Sequence, residues 1–210
     1  IRAAFAQLWE SEGGKEAIAV GGLMYLLFPL LLIPPLVATG WQVEYGRMVS
    51  RGETELPRWR LGQAGIGLRL FVVGIGYFLP IYLLLAPFMV FLFAADESQA
   101  SAAFGIFFAA VALANVVSLA VQAILPAVYA VFISENRLAS CFRPTLIRNA
   151  MRPYGWSYLV APLLIFAAGM VAGFGILLCI IGVFFTGFWS QAVSMHLAGQ
   201  LARTAAAARI

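Results

Sequence analysis

Apolar positions in this chain come in unbroken runs rather than in alternation. No Asp, Glu, Lys or Arg occurs in residues 17–43, 70–95, 98–134 or 153–202, runs of 27, 26, 37 and 50 residues. The hydrocarbon core of a bilayer is roughly 30 Å thick and takes about 20 apolar residues of helix to cross, so each run is long enough and the last is long enough twice. Transmembrane β-strands would instead show segments of about 10 residues that alternate in character. The pattern predicts a single integral membrane domain over residues 1–210, all-α, a polytopic transmembrane helical bundle of about five spans: 17–42, 70–94, 100–134, 154–172 and 176–201.

Prolines and glycines punctuate these runs. Pro29, Pro34 and Pro35 interrupt the first span, each removing a backbone donor, and two paths fit. One is a kinked crossing. The other is a re-entrant segment that turns back inside the membrane, which would put the residues before it on the cytoplasmic side. The second span carries Gly74 and Gly76 and is expected to bend at Pro80 and Pro87. After an acidic turn at Asp96 and Glu97, the third span is too short for two crossings and reads as one long, tilted or extended helix bent at Pro126. The last run reads as a hairpin turning near Gly173 and Gly175.

Two flanking segments read as interfacial. Ile1, Phe5, Leu8 and Trp9 share a helical face ahead of the first span. Leu138, Phe142, Leu146, Ile147 and Met151 stand among arginines in the 134–156 connector, an amphipathic segment broken at Pro144. The chain opens on Ile1 with no initiator Met, so a longer natural N-terminus is expected.

Composition agrees with the pattern: 63% of residues are apolar and 10% charged, outside the range of soluble domains. The net charge of +4 would suggest nucleic acid if it formed a soluble patch. Instead the cations flank the spans, which points to lipid headgroups as partners and away from nucleic acid. Eleven of the thirteen basic residues (Arg47, Arg51, Arg58, Arg60, Arg69, Arg137, Arg143, Arg148, Arg152, Arg203 and Arg209) fall on one side of the five-span arrangement. The positive-inside rule places that side in the cytoplasm, with a bacterial or archaeal inner membrane as the expected location. Trp41, Trp59, Trp156 and Trp189 lie near the same face, as an aromatic belt would. Three spans end in an aromatic and polar stretch leading to arginine, at 40–47, 129–137 and 188–203; a weak internal repeat and the ordinary composition of a cytoplasmic span end both fit. Cys141 and Cys179 provide no disulfide framework.

Candidate chemistry is sparse. Inside the spans the one strongly ionisable side chain is His196, with Gln200 and Arg203 on its face at spacings of four and seven. A buried charge is retained at high cost only for use, so a span set without carboxylate, lysine or arginine argues against ion-coupled transport. His196 is a possible ligand to haem or pigment, but a zinc site needs three or four protein ligands and an interfacial polar residue explains it as well. Asn115, Ser118 and Gln122 form a polar stripe on the third span, suited to bonding neighbouring helices or lining a wet cavity. Gly182, Thr186, Ser190, Ser194 and Ala198 recur every four residues on the fifth span, and Gly169 with Gly173 repeats the spacing on the fourth. Such ridges let helices approach closely, either within this chain or in a partner. No phosphate-binding loop, paired-carboxylate site or metal-spaced Cys/His cluster occurs, and a serine nucleophile finds no histidine with an acid beside it.

The segment Gly40 to Trp59 reads G-W-Q-V-E-Y-G-R-M-V-S-R-G-E-T-E-L-P-R-W. It resembles the membrane family called domain of unknown function 4013, whose signature is a Gly-aromatic step, a basic helix and then Arg-Gly-Glu-x-x-Leu-Pro-x-Trp. Arg51, Gly52, Glu53, Glu55, Leu56, Pro57 and Trp59 match it. The closing stretch Phe188 to Arg203 is also similar to the family's end. Arg58 and Arg60 depart from it, standing where the family commonly has acids. The resemblance implies a polytopic membrane protein and assigns no activity, cofactor or catalytic residue. Physically, Leu56-Pro57 fixes an extended turn, Gly52 permits a reversal, and Trp59 is suited to anchor a cytoplasmic elbow at the headgroups.

These features favour a non-enzymatic integral membrane subunit that packs against other integral membrane proteins. A transporter or channel for a neutral or lipid-like solute comes second, and pigment or haem ligation through His196 third.

Overall fold

The computed structural model describes residues 10–11, 13–27, 31–96, 99–173 and 179–207. Among them the regular elements are all helical: α1 (Gly14–Leu26), α2 (Ile33–Arg51), α3 (Gln63–Ala94), α4 (Ala100–Glu135), α5 (Leu138–Cys141), α6 (Pro144–Met151), a 3-10 helix (Arg152–Leu159), α7 (Val160–Gly173) and α8 (Cys179–Ala207). The expected interfacial face at residues 1–9, the break at Pro29 and the turn at Gly175 lie outside the described residues. The chain divides into two compact units, Val72–Ile124 and Ile1–Phe71 with Leu125–Ile210.

The Val72–Ile124 unit wears its apolar side chains outward. Tyr82, Val90, Phe93, Phe108 and Val116 are each more than 60% exposed. Water would make this costly, since each large apolar side chain left unburied forgoes about 1.5–3 kcal/mol. Hydrocarbon removes that cost. Small residues at heptad-like spacing, Ala103, Ala110 and Ala114, are the buried positions of α4 here. α3 runs on through Pro80 and Pro87, and α4 through Pro126.

The other unit is organised around α8, which packs against α2, α1 and α7. Its core joins Ala17 and Ile18 of α1 to Trp41, Tyr45, Met48 and Val49 of α2 and to Phe188 and Ala192 of α8. Every residue from Ala192 to Gly199 is buried. The helices cross closely because two glycines meet: a Cβ on Gly199 would overlap the Gly46 carbonyl and lie 2.9 Å from the Val49 Cβ. Pro126 leaves its mark in this unit, where the Ala127 N–H donates to the Tyr158 hydroxyl at 3.3 Å. In the connector, Pro144 opens α6 at a position where its missing donor costs nothing.

Three helical stretches are long and apolar enough to cross a bilayer: Gln63–Ala94, Ser101–Glu135 and Pro144–Gly173. They correspond to the second, third and fourth of the five expected spans. The first expected span, 17–42, is divided between α1 and α2, and the chain folds back between them. The Tyr25 hydroxyl donates to Gln42 Oε1 at 3.0 Å, whereas seventeen residues of continuous helix would separate these residues by about 25 Å. The thirteen residues of α1 span about 20 Å, short of the hydrocarbon thickness. The described residues therefore do not form one continuous helix through the first expected span. The fifth expected span lies in α8, whose apolar N-terminal half gives way to Gln191, His196 and Gln200.

A candidate functional site at the crossing of α2 and α8

Polar side chains inside an apolar bundle need partners, because an unpaired buried group costs about 1–3 kcal/mol. Gln42 and His196, 0% and 2% exposed, meet this requirement across the α2–α8 crossing. Gln42 Nε2 donates to the Phe188 carbonyl at 3.0 Å, while its Oε1 receives the Tyr25 hydroxyl. His196 Nδ1 lies 3.2 Å from the Tyr45 hydroxyl and its Nε2 lies 2.8 Å from Gln200 Nε2. With the Gln200 amide nitrogen toward Nε2, the imidazole carries its proton on Nδ1 and donates it to Tyr45; a rotated amide reverses both bonds. Either way both ring nitrogens are engaged, so a metal or pigment would have to displace one of these partners.

The segment that carries the family signature closes over this crossing. α2 ends because Gly52 adopts φ 74°, with Gly52 N–H bonded to the Val49 carbonyl and Glu53 N–H to the Met48 carbonyl, the Schellman pairing that a glycine C-cap permits. Arg51 and Glu53 form an exposed ion pair at 2.7 Å, a contact of small energetic weight. Glu55 is exposed, and Leu56 packs on the core. The Pro57 carbonyl accepts the Trp41 indole N–H at 2.7 Å. Trp59 stacks on Trp41 at 4.9 Å between centroids, and Trp41 in turn stacks on Tyr45 at 5.7 Å. The elbow is thus an aromatic lid. Trp59 is half-buried against Trp41 and Phe188 rather than an anchor at the headgroups, and Trp41, fully buried, is core rather than belt. Trp156 is 89% exposed.

Gln63, the first residue of α3, latches this lid. It is 1% exposed; its Nε2 donates to Glu44 Oε2 at 2.5 Å and to the Arg58 carbonyl at 2.9 Å, and its Oε1 accepts the Arg60 N–H at 3.0 Å. Sequence reasoning missed Gln63, Gln42, Tyr45 and Tyr25. The available signal was position: Gln42 closes an apolar run and Gln63 opens the helix after the elbow, both places where a long amide reaches backbone.

The other sequence candidates are dispersed. Asn115 is exposed and donates to the Val111 carbonyl of its own helix at 2.8 Å; Gln122 donates to Ser118 Oγ at 3.2 Å. The stripe is therefore bonded along its own helix. In the α8 ridge, Gly182 and Ser190 are half-buried and Ser194 and Ala198 buried, while the Thr186 hydroxyl reaches the Ala172 carbonyl of α7 at 2.8 Å. Gly169 and Gly173 are exposed, and a Cβ at either would meet nothing within 4 Å among the described residues. Cys141 is buried, and burial pushes its thiol up to about 11.

Beside the crossing lies a cavity of about 140 Å³, walled by the 3-10 helix, α7 and α8. The Tyr154 hydroxyl donates to the Gln200 carbonyl at its edge, at 3.1 Å. Among the described residues no cluster of three His, Cys, Asp or Glu is placed to hold a metal ion.

One unit with outward-facing apolar side chains, another with internally satisfied polar groups, and three helices long and apolar enough to cross a bilayer define a helical protein of membrane type. Residues 23–193 match the family model described as Protein of unknown function (DUF4013), and the chain belongs to that family. No curated protein and no solved structure matches it.

Proposed function

We propose that this protein is a non-enzymatic integral membrane subunit that packs against other membrane proteins and helps assemble a larger complex. The observation that carries the reading is the contrast between its two small-residue ridges. The α8 ridge is engaged by α7 through Thr186, whereas on α7 Gly169 and Gly173 stand open among the described residues, on a face shared with the exposed side chains of Phe166 and Met170. Exposed glycines four residues apart on a lipid-facing helix admit a second helix at close range. Purification of the full chain from native membranes in mild detergent should retrieve a partner at fixed stoichiometry. Gly173→Leu should release that partner without unfolding the chain, and a clean monomer from the wild type would refute the reading.

The fold-back of α1 on α2 also bears on orientation. With α1 starting on the side where α2 ends, Lys15 shares the cytoplasmic side with the arginine-rich connectors. A reporter fused ahead of residue 1 and one inserted in the elbow should then report the same compartment; opposite compartments would restore the five-crossing arrangement.

A transporter or channel for a neutral or lipid-like solute is the second reading. The discontinuous α1–α2 segment favours it, since such segments form substrate paths in many carriers. A water-filled path at mid-membrane around Asn115 and Gln122, detected by cysteine accessibility, would support it.

A further inference from the structure

α4 carries carboxamides where lipid offers nothing to bond. Asn115 is exposed near the middle of the crossing-length stretch Ser101–Glu135, about 21 Å along the helix from one end and about 30 Å from the other, so its short side chain sits within hydrocarbon. Its Nδ2 donates to the Val111 carbonyl of its own helix at 2.8 Å, while its Oδ1 and second amide hydrogen bond nothing among the described residues. Gln122, one heptad further on, repeats the arrangement. Its Nε2 donates to Ser118 Oγ at 3.2 Å, and its Oε1 accepts nothing among the described residues. Hydrocarbon cannot supply the missing bonds, and polar side chains at this depth face protein or water.

The two amides lie in a seam. Phe104, Phe108, Val111, Asn115, Ser118 and Gln122 follow one another at alternating steps of four and three, the spacing of a two-helix coiled coil, with both amides at the same heptad position. Phe104 and Phe108 are 52% and 65% exposed. Within its own unit α4 buries another face, at Ala103, Ala110 and Ala114, about a third of a turn round the helix axis.

We propose that this seam is a self-association surface, pairing α4 with α4 of a second copy of the chain about a two-fold axis, Asn115 against Asn115. Copies inserted in the same direction share one depth, so their α4 helices meet in parallel and each Asn115 arrives level with its counterpart. Any other chain would have to bring a polar residue of its own to that level. A carboxamide holds both donor and acceptor, so two of them exchange N–H···O bonds reciprocally. Gln122 meets its counterpart in a second such layer, and the phenylalanines pack beyond Asn115. The seam lies on α4 and makes no use of Gly169 or Gly173, so this inference stands or falls apart from the subunit reading.

The test is self-association of the fluorescently labelled full chain in liposomes, followed by single-molecule photobleaching over a range of protein densities. The wild type should form dimers. Asn115→Val should raise the dissociation constant by about 3- to 30-fold, the range for hydrogen bonds between membrane helices, and Asn115→Gln should restore pairing. Asn115 is exposed, so neither change disturbs packing within the chain. In a Cys141→Ser, Cys179→Ser background, oxidation of native membranes should crosslink Val111→Cys between copies and leave Ala110→Cys uncrosslinked. A wild type that stays monomeric at every density would overturn the proposal, as would a shift smaller than about threefold for Asn115→Val or a stronger crosslink at 110 than at 111. So would loss of the dimer in Gly173→Leu, which would move the contact to α7, or labelling of Asn115→Cys by a membrane-impermeant thiol reagent, which would make water the partner of the amide.

Discussion

Replacing Gln63 by alanine should unlatch the elbow while leaving the helices in place. The substitution removes three hydrogen bonds, two to neutral backbone groups of Arg58 and Arg60 and one to the Glu44 carboxylate. Neutral bonds contribute about 1 kcal/mol each and a bond to a charged group about 1.5–3, for a sum of about 3–5 kcal/mol. Water can reach residues 51–55, which are exposed, so the lower figure is the appropriate one. At about 1.4 kcal/mol per tenfold, a loss of 3 kcal/mol raises the open population of the loop roughly a hundredfold. Trypsin reads this population directly when opening is fast relative to cleavage. Cleavage after Arg58 and Arg60 in detergent should accelerate by that factor relative to cleavage after the exposed Arg148 in the same sample. A rise smaller than about threefold, less than the contribution of one hydrogen bond, would refute the latch. Gln63→Glu should open the loop further, because it sets a second carboxylate against Glu44.

The close crossing predicts that Gly199→Ala destabilises the chain by about 1–3 kcal/mol in a denaturant or thermal melt, since its Cβ overlaps the Gly46 carbonyl, whereas Gly169→Ala should be neutral. Tyr45→Phe removes the partner of His196 Nδ1 and should cost about 1–3 kcal/mol; a melt identical to the wild type would show that water replaces the hydroxyl. In a Cys179→Ser background, maleimide labelling of Cys141 should be slow at neutral pH and climb with pH toward about 11, because burial favours the neutral thiol and delays the reactive thiolate. Labelling that levels off near the ordinary thiol range of about 8.5 would contradict the buried setting.

The long spans were legible because lipid imposes a length and composition on anything that crosses it, and residues 70–94, 100–134 and 154–172 each match a crossing-length stretch to within one residue or lie inside it. The path of the first run was not. Its prolines announced a break, but the direction after the break rests on Tyr25 meeting Gln42 and Gln42 meeting Phe188, contacts no local pattern encodes. Trp59 shows the same limit. Its composition and neighbours suit an interface anchor, and only the arrival of Trp41 beneath it turns it inward. The elbow's turn chemistry, by contrast, was readable: Gly52 reverses the chain as a glycine after a helix should, because that conformation is decided within six residues. Small-residue ridges were legible as ridges, while their partners were not, since spacing says that a helix can approach and not which one.

The bond from Gln42 to the Phe188 carbonyl joins residues 146 positions apart. A ribosome adding about 5–20 residues per second completes that interval in roughly 7–30 s. For that time the α1–α2 hairpin stands without the helix that accepts its amide and covers its tryptophan. An element made early is thus finished late, and assembly depends on whatever shelters an incomplete hairpin until α8 arrives.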